Sequence, residues 1–365
     1  MTQFFGLTQK GSRWFFLDPL GKPLWSLGMN HIDPATLRYS DSDEVWHRRY
    51  DNSMEAWLKQ VRVDLLDWNF NTVGWVQEVV TINPENHRHS RSFTFEEYQW
   101  LDMPYCHLLP FAETHQWEIE TRQPNFASQG FEEWCDYVAR DHCARMRDDP
   151  KLIGYFYTDC PMWVHTARDN EWKGPLFDPD RLHSESGRRE LFDLATRYYQ
   201  VTHDAIRRYD PNHLILGDRY EANAPLPEIV IDAALPYVDV LSFQCFDTPE
   251  NVREKMARWA GYSRRPVLVA DSAQRQAVPE VSWPPHSDRD HDPVAHARVL
   301  QLLTQIPECV GYHLCGAYLK NRTRRSGLRD HRDIPAEQVI DGIREQNRRI
   351  LDWTKSLDAE DDRSH

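Results

Sequence analysis

Eight short apolar runs alternating with amphipathic stretches set the strongest constraint on how this chain folds. The runs are Leu24–Met29, Thr72–Val76, Tyr105–Pro110, Leu152–Tyr157, Leu214–Gly217, Val238–Phe243, Pro266–Ala270 and Val310–Leu314. Helical periodicity is read over Ser53–Trp68, Phe131–Asp148, Gly187–Tyr209, Leu226–Leu235, Glu250–Tyr262, Pro293–Gln305 and Pro335–Trp353. A strand that is apolar on both faces belongs in a parallel sheet covered by helices, and about eight strand-helix repeats make a closed barrel. The fold class read from this pattern is α/β, a single (β/α)8 TIM barrel. An open doubly wound sheet is the runner-up, but no G-x-G-x-x-G turn follows the first run, as a dinucleotide-binding sheet would usually show.

A chain of 365 residues can bury one large core, and no Pro/Gly/Ser-rich linker divides it. One domain is expected over 1–356, followed by an acidic, disordered tail at 357–365. Long segments after the second run (Glu78–Met103) and the fourth (Cys160–Ser186) are rich in His, Trp, Asn and Pro. On a barrel such extended loops sit on the catalytic face. The net charge of −14, with only short basic runs such as 322–325 and 348–349, argues against a nucleic-acid partner. No stretch reaches the ~18 apolar residues of a membrane span, and Met1 to Leu17 lacks the apolar core of a signal peptide. Seven cysteines without tight spacing suit reduced thiols. A cytoplasmic location is therefore expected, while a homo-oligomer is left open.

In a barrel, polar residues just after each apolar run converge on one mouth. The first run delivers Asn30 and His31, and the second Trp75, with Gln77 and Glu78 beyond. The third delivers Cys106 and His107, and the fourth Thr158, Asp159 and Cys160. The fifth brings Asp218, Arg219 and Tyr220, the sixth Gln244 and Cys245, the seventh Asp271, and the eighth His313 and Cys315. Carboxylates beside an Arg, histidines and a Trp suit glycosidic cleavage, in which one carboxyl protonates the leaving oxygen and another attacks or activates water. Asp159 and Asp271, across the mouth from each other, are the expected catalytic pair. Asn30, His31, Trp75, Glu78, His107, Cys160, Asp218, Arg219, Tyr220, Gln244 and His313 are expected to contact substrate, with Glu78 as reserve acid.

Each candidate also has a structural reading. An Asp at a strand end can cap the next helix, and a His or Trp can be a satisfied core residue. A subset of His31, Cys106, His107, Cys160, Cys245, His313 and Cys315 could form a zinc site. No pair among them has close ligand spacing, and Cys packs well inside barrels, so packing is favoured and neither metal nor other cofactor is assigned.

Several segments resemble agarase and related β-galactosidase-like glycoside hydrolases. Gly11–Pro23 running into Leu27-Gly28-Met29-Asn30-His31 is similar to the start of that group's barrel. Leu152–Phe156 followed by Thr158-Asp159-Cys160-Pro161 resembles its fourth strand, Leu216–Tyr220 its fifth, Asp239–Phe243 its sixth and Arg265–Asp271 its seventh. Ser326–Asp330 and the helix with Glu345–Arg349 resemble its ending. The resemblance implies that Asp159 occupies the slot of the group's Asn, Cys160 that of its acid/base Glu, and Asp271 that of its nucleophilic Glu. A thiol is a poor proton donor to a sugar oxygen. The expectation is thus that Asp159 took over the acid role, with Asp271 as nucleophile or base. Shorter side chains would favour inversion, which needs roughly 6.5–9.5 Å between carboxyls rather than about 5–5.5 Å. The implied activity is hydrolysis of galactose-containing, agar-like oligosaccharides, exo-acting. A non-hydrolytic sugar-binding barrel and a metal-dependent sugar isomerase or lyase are the alternatives.

Overall fold

The computed structural model describes residues 3–38, 44–77, 91–112, 125–164, 178–276, 290–316, 318–320 and 326–361. Within them the strands are β1 (Gly6–Lys10), β2 (Arg13–Leu17), β3 (Pro23–Leu24), β4 (Ser26–Met29), β5 (Thr72–Val73), β6 (Tyr105–Leu108), β7 (Leu152–Asp159), β8 (Leu214–Glu221), β9 (Leu241–Gln244), β10 (Val267–Ser272) and β11 (Cys309–Leu314). The last eight close into a parallel barrel in the order β10-β11-β4-β5-β6-β7-β8-β9. Each coincides with one of the eight apolar runs, because a run buried on both faces is stable only between lumen and helices. The helices are α1 (Ala35–Arg38), α2 (Glu44–Tyr50), α3 (Met54–Asp67), α4 (Phe95–Leu101), α5 (Gln129–Met146), α6 (Glu185–Tyr209), α7 (Glu228–Ala234), α8 (Pro249–Ser263), α9 (Pro293–Leu303) and α10 (Glu337–Asp361).

Their starts are written in the sequence as caps. Ser53, Thr94, Ser128, Ser184, Thr248 and Asp292 each accept a backbone N–H from the first turn, and Thr94 with Glu97 completes a capping box. α10 runs through Asp361, so part of the stretch read as a tail is helical, while 362–365 lie outside the described residues. No helix among the described residues is long and apolar enough to cross a membrane. None of the seven cysteines, all within the described residues, forms a disulfide.

The core has two compartments. An outer layer packs the helices onto the strands, and an inner one fills the lumen with Cys106, Ile153, Phe156, Leu216, Leu268 and Val310. Three antiparallel strands, β1-β2-β3, close the N-terminal end of the barrel, with Phe5 and Phe16 packed into the lumen cluster. This sheet is latched to the segment around β11. The Trp14 N–H donates to Pro307 O at 2.8 Å, Arg13 Nη1 to Ile306 O at 3.0 Å and Trp25 Nε1 to Cys309 O at 2.8 Å. With that end closed, polar groups in the lumen can meet a ligand only at the C-terminal mouth.

Candidate active site

Four strand ends build the charged centre. β7 ends on Asp159 with Cys160 next in the chain, β8 carries Arg219, β10 carries Asp271, and β4 runs out into Asn30 and His31. Arg219 is fully buried between the two carboxylates. Its Nη2 and Nε lie 2.7 and 3.0 Å from Asp159 Oδ1, and its Nη1 lies 3.6 Å from Asp271 Oδ2. The guanidinium stacks on Trp75, its Cζ 3.8 Å from the ring centroid. Burial works against the Arg219 charge, but the adjacent Asp159 and Asp271 outweigh it and raise its pKa.

Asp271 is held from three sides. Asn30 Nδ2 donates to its Oδ1 at 2.6 Å, and His31 Nε2 lies 3.5 Å from its Oδ2. Burial opposes the Asp271 charge, yet Arg219, then His31 and Asn30, keep its pKa well below the usual carboxylate range. Asn30 is itself fixed, donating to Ala270 O at 2.7 Å and accepting the Trp75 N–H at 2.8 Å. A Cβ on Gly74 would stand 2.1 Å from Asn30 Oδ1, so only glycine lets Asn30 reach across. On the far side Gln244 Nε2 donates to Asp159 Oδ1 and, at 2.7 Å, to Cys160 Sγ.

Two non-glycine residues of this centre, His31 (φ +53°) and Cys160 (φ +46°), are left-handed. Such conformations cost free energy and cluster at functional sites.

Deeper in the lumen, His313 Nε2 lies 2.8 Å from Ser26 Oγ, whose hydroxyl donates to Thr72 Oγ1 at 2.9 Å. Thr72 in turn donates to Asn71 Oδ1 at 3.0 Å. With Ser26 donating onward, His313 must donate from Nε2, which makes it the neutral Nε2–H tautomer. Burial, reinforced by Arg219 and opposed by Asp271, lowers its pKa to about 3.

The structure therefore brings together Asn30, His31, Trp75, Asp159, Cys160, Arg219, Gln244, Asp271 and, beneath them, His313. Three other expected site residues lie outside the lumen. His107 points outward from β6, its Nε2 2.8 Å from His142 Nδ1. Asp218 accepts the Tyr198 and Tyr199 hydroxyls at 2.8 and 2.7 Å, and the Tyr220 hydroxyl lies 2.6 Å from that of Tyr199. The reason is Gly217, which is left-handed (φ +67°) beside a register shift between β7 and β8. The extra residue changes the phase of the strand, so Arg219 enters the lumen while Asp218 and Tyr220 face α6. Burial raises the Asp218 pKa to about 6 against its hydroxyl donors. Trp75 is 2% exposed and its face is covered by Arg219, which leaves no ring surface for a sugar to stack on. Glu78 lies outside the described residues.

One residue escapes a reading of the sequence by strand ends, and another, Cys315, takes a position that reading did not give it. Glu221, the last residue of β8, is partly buried and accepts the Asn223 N–H at 2.9 Å. Burial raises its pKa, and although Asn223 lowers it, the Asp159 and Asp271 charges raise it further. Its spacing was the available signal, since two positions beyond Arg219 strand alternation returns to the same face. Cys315 comes beside His31 and Asp271, with one ligand atom of each residue all within 4.8 Å of one another.

No protein-family model matches the chain, and no curated protein does. Solved structures do match in fold. The chain is similar to an agarase, AgWH50C, with a TM-score of 0.70 and 16% identity over 95% of this chain and 63% of that one. It is similar to an exo-beta-agarase with a TM-score of 0.70 and 14% identity, covering 97% of this chain and 65% of that one. It also matches Bacteroides uniformis beta-glucuronidase 2, with a TM-score of 0.58 and 12% identity over 93% of this chain and 37% of that one. The chain thus spans just under two thirds of the length of these agarases. At this identity the likeness is one of fold, and it extends over nearly the whole of this chain.

Proposed function

We propose that the protein is a glycoside hydrolase acting on small galactose-containing, agar-like oligosaccharides, exo-acting and cytoplasmic. The observation that carries this reading is the convergence of Asp159 and Asp271, from β7 and β10, on one buried arginine at the barrel mouth. Asp271, held ionised, suits the nucleophile or the base that activates water. Asp159 is less suited to the acid role expected for it, because a guanidinium and an amide both donate to its Oδ1 and favour the charged form. Glu221, with its raised pKa, is the better proton donor, and Asp159 then anchors Arg219.

The test is a panel of agar-derived and other galactose-containing oligosaccharides, with products read by mass and by anomeric configuration. The expected result is the addition of water across a terminal linkage, with turnover falling about 10²–10⁴-fold in Glu221→Gln and more in Asp271→Asn. Full activity in Glu221→Gln with loss in Asp159→Asn would return the acid role to Asp159, and a retained anomer would exclude inversion. Binding of a sugar without any turnover would favour the second reading, a non-hydrolytic sugar-binding barrel. That reading draws on the Arg219 clamp, which holds both carboxylates.

A further inference from the structure

We infer that His31, Asp271 and Cys315 form a binding site for a zinc-class transition-metal ion, with one coordination position left for water or a ligand oxygen. The site goes beyond the hydrolytic reading and does not depend on it, although it shares Asp271 with that reading and a bound ion would occupy the carboxylate oxygen that Asn30 leaves open. Asp271 lies on β10, and His31 and Cys315 lie just beyond the ends of the neighbouring strands β4 and β11; all three are buried. Imidazole, carboxylate and thiolate form a donor set that selects zinc-like ions over magnesium or calcium, which prefer oxygen alone.

The distances suit coordination as well as the direct ion pair. His31 Nε2 and Asp271 Oδ2 are 3.5 Å apart, long for a hydrogen bond. Two ligands at tetrahedral zinc bond lengths stand about 3.3 Å from each other, and a nitrogen and a sulfur about 3.6 Å. The full set spans no more than 4.8 Å, so closing onto an ion requires a shift of about 1 Å at most.

The surroundings also fit. Asn30 fixes Asp271 through its other oxygen, which is the outer-shell support that metal-binding carboxylates need. His31 reaches its position through a left-handed backbone, and Gly316 (φ +108°) directly follows Cys315. A divalent ion beside Arg219 would be repelled if alone. Asp159 and Asp271, the carboxylates on either side of Arg219, offset that repulsion.

The test uses the full-length protein, stripped with a chelator and titrated with cobalt(II), then with zinc in competition. One equivalent of cobalt should produce a thiolate-to-cobalt charge-transfer band in the near ultraviolet, which zinc abolishes. Cys315→Ser should remove that band and His31→Gln should weaken cobalt binding at least tenfold. Cys160→Ser, at the neighbouring thiol, should leave the band in place. The absence of a stoichiometric band in the unaltered protein overturns the site without recourse to any variant, as does a band unchanged in a folded Cys315→Ser protein. No band with hydrolysis intact would remove the metal site and leave the proposed activity standing. A band with no hydrolysis of any sugar would do the reverse.

Discussion

Arg219 is the residue on which the site's electrostatics turn. It is fully buried, its charge is balanced by Asp159 and Asp271, and its cationic face is satisfied by Trp75. Removing one partner from a buried ionic cluster costs far more than the cluster itself contributes, because the remaining charges stay desolvated. Arg219→Met should therefore lower the unfolding free energy by about 3–5 kcal/mol, and adding Asp271→Asn should recover part of that loss. Denaturant midpoints of the single and double variants check this, and an unchanged midpoint in Arg219→Met would contradict it. The residue types at this centre were legible in the sequence, since Asn30, Asp159, Arg219, Gln244 and Asp271 all follow apolar runs. Their pairing was not. Nothing in the one-dimensional pattern says that Arg219 bridges the two aspartates, or that its guanidinium rather than a ligand lies on Trp75.

At the scale of elements, strand order and helix positions follow from periodicity, while phase does not. A left-handed Gly217 turns Asp218 and Tyr220 away from the lumen, and a single extra residue of this kind leaves no trace in hydrophobic alternation. The β1–β2 hairpin is hidden for a different reason, as strands of 5 residues carry too few alternations to stand out. α4 lies inside a stretch read as loop, although Thr94 and Glu97 spell its capping box. The hairpin matters because Phe16, 1% exposed, seals the floor of the lumen. Phe16→Ala should cost about 3–5 kcal/mol through the cavity it leaves, with activity per folded molecule unchanged because the mouth is at the other end. Chemical denaturation beside an activity assay tests both halves, and an equal loss of activity in fully folded protein would contradict the second.

The whole molecule carries a pH dependence set by buried neutral histidines. Burial lowers His107 well below its ordinary value, His291 and His313 to about 3 and His296 to about 4. Unfolded, each would titrate near 6.5, so the unfolded chain binds more protons below that pH and stability is lost as pH falls toward the folded values. Asp218, raised to about 6, and Glu221, also raised, act in the opposite sense between the ordinary carboxylate range and pH 6. The histidines outnumber them, so the melting midpoint should fall steadily from pH 6.5 to pH 4, and a midpoint that rises on acidification would contradict this balance. The seam of the barrel has a further consequence for synthesis. β4 pairs with β11, Ser26 against Gly311, and the N-terminal sheet is latched to Ile306, Pro307 and Cys309. Until those residues leave the ribosome, the growing sheet keeps a bare edge at β4 and another at its newest strand, with the lumen open between them. The barrel therefore closes only once β11 is available, and the nascent chain is at its most aggregation-prone just before β11 emerges.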